Sequence, residues 1–517
     1  MYKLGIDVGG TNTDAVLVDE KQTIVGEVKV PTTRDVYTGI LHAVEAVIRS
    51  AGVDTARITK AMLGTTQCTN AIVERKNLAP VGILRIGAPA TTGIKPMTDW
   101  DDDLRAVAAD ARIIGGGFEY NGKRLAELDT AAARSFFEGL VGKVESVAIS
   151  CVFSTVRDDD ETKVAELCHA VMGERTHVSV SSKIGSMGII ERENATILNA
   201  ALHKVSKSFT EGFSDSLGAM GLTNVELFIS QNDGTLMNID TARRYPVLTI
   251  ACGPTNSIRG AGYLSGLSDA VVVDIGGTTT DIGILQNGFP RESSVAVTIG
   301  GVRTNFRMPD VISIGLGGGS IVREHPDGRV TVGPDSVGYE IQEKAIVFGG
   351  DVLTATDVVV KLGMADIGDK TRLATISDEL AVKAMAAIRE LLEDNIAQIK
   401  TSHDDVDVVL VGGGAILVPE SLAGTKSVTR PNHYPIANAI GSSIAKVSGT
   451  WEQLFDYNEV PRDTAIAEAK AAAVDLAVAT GAVRETVEII DVEDVPLSYH
   501  PGHTCRVKVK AAGDLAE

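Results

Sequence analysis

Several kinds of protein are excluded by what this sequence contains little of. Lysine and arginine form no dense run and the formal net charge is −20, which argues against a nucleic-acid surface. No stretch approaches about 18 uninterrupted apolar residues, so we expect no membrane-spanning segment. The five cysteines include no CxxC pair, which indicates reduced thiols rather than a disulfide framework.

Aromatic residues are also scarce, at 4%, whereas glycine is abundant, with 53 residues among 517. This composition is typical of α/β enzymes with many tight turns, and the length allows about two to four domains. The N-terminus begins directly with a strand-like run and lacks the pattern of a signal peptide. We therefore expect a cytoplasmic globular protein.

One eight-residue phrase occurs twice, and the rest of the chain is arranged around it. The copies, residues 7–14 and 274–281, are Asp-Val-Gly-Gly-Thr-Asn-Thr-Asp and Asp-Ile-Gly-Gly-Thr-Thr-Thr-Asp, identical at six of eight positions. Each copy follows one apolar run and precedes another, which predicts a strand, a tight Gly-Gly-Thr turn and a second strand. Two such copies about half a chain length apart indicate a duplicated unit.

The chemistry of this phrase suits the binding of phosphate. Glycine permits the backbone conformation of the turn and lets a phosphate approach the backbone N–H groups. The threonine hydroxyls add donors, and the leading aspartate is placed to offer an oxygen to a Mg²⁺ carried by phosphates. One copy alone is more often only a hairpin, whereas two copies in duplicated lobes would face each other and grip one triphosphate.

Two duplicated lobes of this kind resemble the acetate kinase–sugar kinase–chaperone–actin superfamily. The resemblance implies an α/β fold of two actin-like ATPase lobes, each with a ribonuclease H-like core, and an interlobe nucleotide cleft. Bound ATP and Mg²⁺ are the cofactors that this fold implies.

Other segments add candidate ligand sites. The turn 64–70 follows a strand and opens a helix, so it is either an anion or substrate site or a plain N-cap. The strand 406–411 ends in three glycines that would let an adenosine lie against the backbone, and 317–319 form a similar turn. Apolar spacing predicts helices at about 36–51 and 377–400.

We divide the chain into three parts. Residues 1–185 form the first lobe with an insertion at about 87–142, residues 186–455 form the second lobe, and residues 456–517 form a helix and strand extension that covers an edge or meets a partner. The helix that begins at 191–199 presents either a solvated face or one that lines the cleft. His500 and His503 are either metal ligands or, more commonly for such residues, exposed loop side chains.

Motifs in a fixed order resemble the hydantoinase A/5-oxoprolinase family, of the N-methylhydantoinase A type. They are the stretches 5–15, 64–66, 69–71, 74–76, 274–281, 314–321, 332–336 and 356–357. The resemblance extends from residue 1 to about residue 450 and implies ATP-dependent hydrolysis of hydantoins, 5-oxoproline or lactams, or related carboxylation of ketones. The segment 310–313 lacks the histidine that family members often carry there.

The resemblance also implies roles for individual residues. Asp7 and Asp274 would hold Mg²⁺ through its water shell and are candidate catalytic residues. Asp14 and Asp281 are candidates too, either tying down their own turns or reaching a metal-bound water. The expected nucleotide-binding residues are Gly9, Gly10, Thr11, Asn12, Thr13, Gly276, Gly277, Thr278, Thr279, Thr280, Gly317, Gly318, Gly319, Gly412, Gly413 and Gly414.

The expected partners are a small cyclic amide substrate and a companion subunit, of the hydantoinase B type or another, in a homo- or hetero-oligomer. No nucleic acid or membrane is expected. Two other functions stay open. One is a small-molecule kinase of the same fold, and the other is a non-catalytic, chaperone-like ATPase switch.

Overall fold

The computed structural model describes residues 1–9, 11–33, 36–293, 295–497 and 503–516. The strands in chain order are β1 Tyr2–Val8, β2 Asn12–Asp19, β3 Ile24–Pro31, β4 Ile58–Thr65, β5 Val81–Ala88, β6 Ala108–Gly115, β7 Ser146–Cys151, β8 His177–Val180, β9 Glu226–Ser230, β10 Leu236–Asn238, β11 Ala270–Ile275, β12 Thr280–Gln286, β13 Phe289–Pro290, β14 Val297–Ile299, β15 Val302–Thr304, β16 Val311–Ile314, β17 Ser320–Glu324, β18 Val330–Ser336, β19 Val406–Val411, β20 Thr425–Thr429, β21 Val447–Asp456, β22 Glu488–Pro496 and β23 Thr504–Gly513.

The helices complete the set of regular elements. They are α1 Val36–Ala51, α2 Gln67–Glu74, α3 Asp102–Arg105, α4 Thr130–Leu140, α5 Asp159–Met172, α6 Ile189–Ala201, α7 His203–Ala219, α8 Ile239–Arg244, α9 Cys252–Ser265, α10 Ile341–Lys344, α11 Ala355–Lys361, α12 Asp378–Ile399, α13 Ala437–Ser443 and α14 Arg462–Ala479. In the described part of the chain, no helix has the length and apolar character needed to cross a membrane.

Two sheets repeat the same local topology. In the first sheet β1 and β2 form an antiparallel hairpin, and β4 pairs in parallel with β1. In the second sheet β11 and β12 form the hairpin, and β19 pairs in parallel with β11. This shared core confirms the predicted α/β fold of duplicated actin-like lobes.

Burial on both faces explains the apolar character of the central strands. Every residue of β2 from Ala15 to Val18 is fully buried, because α1 covers one face of the first sheet and α13 the other. In the second sheet α12 presents one apolar stripe to the core, formed by Ala381, Ala384, Ile388, Leu392 and Ile396.

Helices α9 and α13 cross between the two sheets. They can pack closely because glycine has no side chain at the contact. A Cβ added to Gly441 would collide with the main-chain carbonyl of Asn256, and one added to Gly260 would collide with that of Ala437. Helix α9 packs on β11 and β12, and α13 packs on β1 and β2. This helix pair is therefore the contact through which the two lobes meet behind the hairpins.

The sheets extend across the boundaries that the sequence suggested. The order of the first sheet is β22-β23-β21-β10-β9-β4-β1-β2-β3, so it includes β9 and β10 from the region 186–455 and both strands of the C-terminal extension. The four-stranded sheet β6-β5-β7-β8 spans 81–180, more than the expected insertion at 87–142. The domain boundaries themselves stay a prediction.

A segment between two strands of the second sheet reaches α6 and β23, which lie outside that sheet. Residues 291–293 and 295–310, here named the crossing arm, connect β13 to β16 of the second sheet and include the hairpin β14–β15. The arm's Asn305 donates to the main-chain carbonyl oxygen of Met187 (2.7 Å), and its Arg303 carbonyl accepts from Asn194 (2.9 Å). The arm therefore anchors the second lobe to α6.

Partly buried ion pairs also tie the arm to the C-terminal extension. Glu292 of the arm accepts from Lys508 (3.0 Å) and Lys510 (2.9 Å) of β23, and Arg307 pairs with Asp233 (3.0 Å). Burial would raise the pKa of Glu292, but the two lysines and Arg307 outweigh it and hold this pKa at about 2. The extension is therefore part of the lobe contact as well as of the sheet edge.

The polar start of α6 is neither a solvated face nor a cleft wall. Glu193 accepts from the Arg85 guanidinium at 2.5 and 2.7 Å and from the Ser150 hydroxyl at 2.9 Å, and all three side chains are buried. Asn194 accepts from the Trp100 indole N–H at 2.8 Å. These residues form a polar cluster that joins α6 to the four-stranded sheet and to the segment before α3.

We expect Glu193→Gln to lower the free energy of unfolding by about 3 kcal/mol, because it leaves the buried Arg85 cation without its anion. Chemical denaturation checks the change, with Glu166→Gln, an exposed glutamate of α5, as the control. The double variant Arg85→Met/Glu193→Leu should lose less, because it buries no unpaired charge. Equal stability of Glu193→Gln and the control would contradict this account.

Candidate functional site

The two repeated hairpins face each other across one cleft. A Cβ added to Gly277 of the second turn would lie 3.3 Å from the hydroxyl oxygen of Thr11 in the first turn. At the base of the cleft, Asn438 donates to Asp7 (3.4 Å), and the Ser257 hydroxyl lies within hydrogen-bonding distance of both Asp274 and Asn438. The expectation of a shared interlobe cleft is confirmed.

The two turns are closed in the same way. The N–H of Gly9 donates to the carbonyl of Asn12 at 3.0 Å, and the N–H of Gly276 donates to the carbonyl of Thr279 at 2.9 Å. Each pair spans the equivalent positions of its copy. The repeated sequence therefore produces a repeated backbone geometry. Gly10 lies outside the described residues.

The threonines of the repeats divide into two groups. Thr13 and Thr280 are fully buried, and the Thr280 hydroxyl donates to the Leu316 carbonyl at 2.7 Å. The Thr13 hydroxyl pairs with that of Thr32 at 3.2 Å. These two hydroxyls stabilise the turns. The residues left on the cleft side with partial or full exposure are Thr11, Asn12, Thr278 and Thr279.

Four carboxyl groups lie at the cleft in two cross-strand pairs, the first pair buried and the second partly buried. Asp7 is opposite Asp14 in the first hairpin, and Asp274 is opposite Asp281 in the second. Burial, with Asp14 and Asp274 as neighbouring anions, raises the pKa of Asp7 to about 7. Burial likewise raises the pKa of Asp281 to about 6, and it raises those of Asp14 and Asp274. The arrangement concentrates negative charge where water is largely excluded.

Lys29 is a cleft residue that the sequence analysis missed. It lies opposite Asp14 in the β2–β3 register and donates to both carboxyl oxygens of Asp14 at 2.8 Å. It also donates to the main-chain carbonyl of Pro435 at 3.0 Å. The available signal was a lysine in the strand that follows the repeated phrase. The register between this strand and β2 could not be assigned from sequence.

Serine hydroxyls partly compensate the second carboxyl pair. Ser313 on β16 donates to Asp281, as the antiparallel pairing of β12 and β16 places the two residues opposite each other. Ser257 on α9 reaches Asp274. No lysine or arginine within the described ranges forms an ion pair with Asp274 or Asp281 at 4.0 Å or less. The second carboxyl pair is therefore stabilised by hydrogen bonds, from these hydroxyls and from Asn438, and by the charge of Lys29 acting on Asp274 without a direct ion pair.

The donor set fits a hydrated Mg²⁺ better than a metal held entirely by protein. In the parts of the chain that the structure describes, no group of three His, Cys, Asp or Glu residues could hold a metal ion. Mg²⁺ typically keeps several waters and takes one or two carboxylates plus substrate phosphates. Asp7 and Asp274 supply two such carboxylates from opposite lobes, and their raised pKa values show that the site favours added positive charge.

Both glycine-rich turns lie against the second hairpin. The N–H groups of Gly318 and Gly319 donate to the carbonyls of Gly276 (3.1 Å) and Gly277 (2.8 Å), so this turn supports the hairpin backbone. Gly412 has a φ of +81°, and a side chain there would collide with Asp274. A Cβ on Gly413 would meet only Lys29 at 3.9 Å. Gly317 and Gly414 also abut the second hairpin.

The turn 64–70 meets the start of α9 beside Asp7. The Cys252 thiol donates to the Thr65 carbonyl at 3.3 Å, and the Thr69 hydroxyl accepts from the N–H of Ala251 at 3.5 Å. Ala251 has a φ of +63°, which is uncommon for a residue with a side chain and occurs often at functional sites. The sequence analysis singled out this turn, but not its contact with α9.

Asn256 is a second residue that the sequence analysis missed. Its side chain is fully buried beside Gly64, and neither its amide nitrogen nor its amide oxygen has a hydrogen-bond partner among the described residues. The sequence gives no signal for this, because the polarity of an asparagine does not reveal the surroundings of its side chain.

The histidine pair of the C-terminal extension is only partly described. His500 lies outside the described residues, and the carbonyl of His503 accepts from the N–H of Tyr457 at 3.1 Å. The suggestion that this pair binds a metal stays a prediction.

Comparisons with known proteins agree with this arrangement. A family model described as the hydantoinase/oxoprolinase N-terminal region matches residues 3–172, and the hydantoinase/oxoprolinase model matches residues 192–367. The acetophenone carboxylase gamma subunit of Aromatoleum aromaticum is 27% identical, covering 87% of this chain and 69% of that protein. The caprolactamase subunit alpha of Pseudomonas jessenii is 25% identical, covering 89% and 70%.

A solved structure shows the same fold. The ATP-dependent caprolactamase from Pseudomonas jessenii superimposes with a TM-score of 0.77 at 20% identity, covering 100% of this chain and 88% of that one. This chain spans between 61% and 70% of the length of four curated relatives. The activities, substrates and partners of those whole proteins therefore enter only as proposals.

We expect Asp7→Asn to change how stability depends on pH in metal-free protein. The raised pKa of Asp7 stabilises the fold fully below its usual value of 3.8, and this stabilisation is lost as the pH rises through about 7. The shift corresponds to at most roughly 4 kcal/mol. Removing the carboxyl group therefore makes the variant progressively more stable relative to the parent between pH 4.5 and pH 8.

Denaturation in EDTA at a series of pH values measures this difference. Asp240→Asn, which changes an exposed aspartate of α8, serves as the control and should show no such trend. A difference between Asp7→Asn and the parent that stays constant over the whole pH range would contradict the assignment.

Proposed function

Because the chain belongs to the hydantoinase/oxoprolinase family, we propose that it uses ATP and Mg²⁺ to phosphorylate the carbonyl oxygen of a small cyclic amide, so that the ring can be opened. The observation that carries the proposal is the pair of Asp-led Gly-Gly-Thr hairpins that face one cleft lined by four buried or partly buried carboxyl groups. The candidate rings are hydantoins, 5-oxoproline and lactams.

The reaction needs activation because an amide carbonyl is a poor electrophile. Transfer of the γ-phosphoryl group to the carbonyl oxygen gives an imidate-like phosphate that water attacks at carbon, with phosphate as a good leaving group. Phosphoryl transfer depends mainly on positioning and on electrostatic stabilisation of the transferred group. Two opposed turns with threonine side chains exposed to one cleft provide such a setting.

The residues of the cleft divide this work between them. Asp7 and Asp274 would hold the water shell of Mg²⁺, which when bound neutralises phosphate charge. The backbone N–H groups and the exposed threonines of the two turns would bind the β- and γ-phosphates. Lys29 forms an ion pair with Asp14, which holds the positive charge of the lysine close to the cleft. Gly413 would leave room for the nucleoside beside Lys29.

A second candidate function is ATP-dependent carboxylation of a ketone. The observation that favours it is the similarity to the gamma subunit of acetophenone carboxylase, 27% identical, which is as high as the similarity to the caprolactamase subunit at 25%. The activation step would be the same, because an enolate oxygen replaces the amide oxygen as the phosphoryl acceptor. The two candidates diverge only after phosphorylation.

We also propose that a companion subunit completes the reaction. Three of the related proteins are named as subunits: gamma of acetophenone carboxylase, alpha of caprolactamase and beta of acetone carboxylase. The described residues offer no three-ligand metal group for the hydrolytic half of the reaction. A hydantoinase B-type partner would supply that half.

We expect Asp7→Ala and Asp274→Ala each to reduce ATP turnover by at least about 100-fold while the fold is kept, because each removes a group that faces the metal and not an apolar packing group. Asp14→Ala should lower stability as well as activity, since it removes the carboxylate with which Lys29 forms its ion pair. Steady-state phosphate release with a lactam, hydantoin and ketone panel measures turnover, and Asp240→Ala is the control. Unchanged activity in both variants would show that the repeat is structural.

The chain alone should bind ATP–Mg²⁺ with slow or uncoupled ATP hydrolysis and little ring opening, and its companion subunit should couple the two. Product formation from a responsive lactam or hydantoin, measured per ATP consumed, is the decisive quantity. Stoichiometric turnover by this chain alone would overturn the companion proposal. Accumulation of a stable phosphorylated alcohol or acid would instead favour the small-molecule kinase. ATPase activity that shows no substrate response even with the companion subunit present would favour the chaperone-like switch.

A further inference from the structure

The Asn256 side chain is an exception to the rule that buried polar groups are hydrogen-bonded. It is 0% exposed, and neither Nδ2 nor Oδ1 finds a partner within the described ranges. Each unsatisfied buried group costs about 1–3 kcal/mol, so native proteins keep few of them and often at functional positions. The fold thus holds one hydrogen-bond donor and one acceptor unused at a single point.

That point lies beside the residues proposed for phosphoryl transfer. A Cβ added to Gly64 would lie 2.6 Å from Nδ2 of Asn256, and it would also collide with the carboxyl of Asp7. The next residue on α9, Ser257, reaches Asp274. Asn256 therefore projects from the first turns of α9 to the floor of the cleft, next to the carboxylates that come from the two lobes.

A carboxamide offers its donor and its acceptor side by side on one edge. An amide inside a small ring is held cis, so its N–H and C=O groups also point to the same side. The two edges can pair through two hydrogen bonds, Nδ2–H to the ring carbonyl and ring N–H to Oδ1. A ketone offers only the acceptor, and an open-chain trans amide points its two groups in opposite directions.

We propose that Asn256 is the residue that recognises the cis amide of the substrate and so selects cyclic secondary amides over ketones. This inference rests on the proposed phosphorylation of a carbonyl oxygen in the same cleft. It assigns a specificity-determining role to a residue that is not part of either repeated phrase.

The pairing also fits the chemistry of the step. The ring carbonyl oxygen forms a bond to the γ-phosphorus, the bond from this phosphorus to the β–γ bridging oxygen breaks, and ADP leaves. The ring nitrogen keeps its proton while positive charge develops on the carbon–nitrogen unit. Its hydrogen bond to Oδ1 therefore strengthens on the way to the transition state, which is the kind of interaction that accelerates a reaction.

Access to Asn256 requires the lobes to separate. The hairpin turns are in contact near Thr11 and Gly277, and Asn256 lies fully buried below them. A ring would enter with the lobes apart and would be enclosed when they close, as is usual for clefts that exclude water.

The test compares N–H rings with their N-methyl counterparts. Calorimetry on the chain saturated with Mg²⁺ and a non-hydrolysable ATP analogue gives the affinity for 2-pyrrolidinone, caprolactam and hydantoin and for each N-methyl form. Lactam-dependent phosphate release with ATP, measured with the companion subunit present, gives the rate. We expect a responsive ring to lose at least 100-fold in rate on N-methylation, because the methyl group removes the donor and leaves Oδ1 unpaired.

Variants then assign this selectivity to one side chain. Asn256→Ala should bring the rates with the N–H and N-methyl forms to within about tenfold of each other. Asn256→Asp should lose activity with the N–H ring, because the carboxylate has no N–H to donate to the ring carbonyl. Asn256→Ala should not change the affinity for the ATP analogue. Asn395→Ala, which changes a helical asparagine of α12 bonded to the Leu391 carbonyl at 2.8 Å, is the control and should behave as the parent.

Three results would overturn the inference. Equal rates for N–H and N-methyl rings in the parent chain would do so without any variant, which keeps the test valid if the variants do not fold. Equal losses for all substrates together with weaker ATP–Mg²⁺ binding would place Asn256 in the nucleotide site instead. ATP binding without calorimetric binding of any ring would refute the proposed function as well, whereas failure of the selectivity test alone leaves that function standing.

Discussion

The repulsion among four carboxyl groups at one cleft is the constraint on which the rest of the site depends. Asp7 and Asp14 are opposite each other in one hairpin, as are Asp274 and Asp281 in the other, and like charges in such positions destabilise a sheet. A fold selected only for stability would not place them there. Their burial keeps their pKa values high, so a bound cation and the phosphates it carries become the natural complement of the site.

The two halves of the duplicated core meet this constraint in different ways. Lys29 forms an ion pair with Asp14 in the first lobe, whereas Asp274 and Asp281 in the second lobe have hydrogen-bond partners in Ser257, Ser313 and Asn438. The charge of Lys29 also favours the ionised form of Asp274, although burial raises the pKa of that group. This lysine therefore acts on carboxyl groups of both lobes.

The sequence predicts the parts of this molecule that depend on local pattern. The repeated phrase gave both hairpins, and apolar spacing placed the helix 36–51 and the strand 406–411 at their observed bounds. What it missed depends on long-range pairing. Lys29 faces Asp14 only through strand register, Glu193 meets Arg85 across 108 residues of sequence, and the isolation of Asn256 follows from packing. No local period encodes these contacts.

The crossing arm connects the second sheet to α6 and to β23. Its anchors are the main-chain carbonyl of Met187, the side chain of Asn194 and the buried lysines of β23, all well separated in sequence from the hairpins. A rotation of the second lobe about α9 and α13 would therefore pull on α6, and α6 is joined by buried charges to the four-stranded sheet. Such a rotation would therefore also displace the four-stranded sheet, at a distance from the two hairpins.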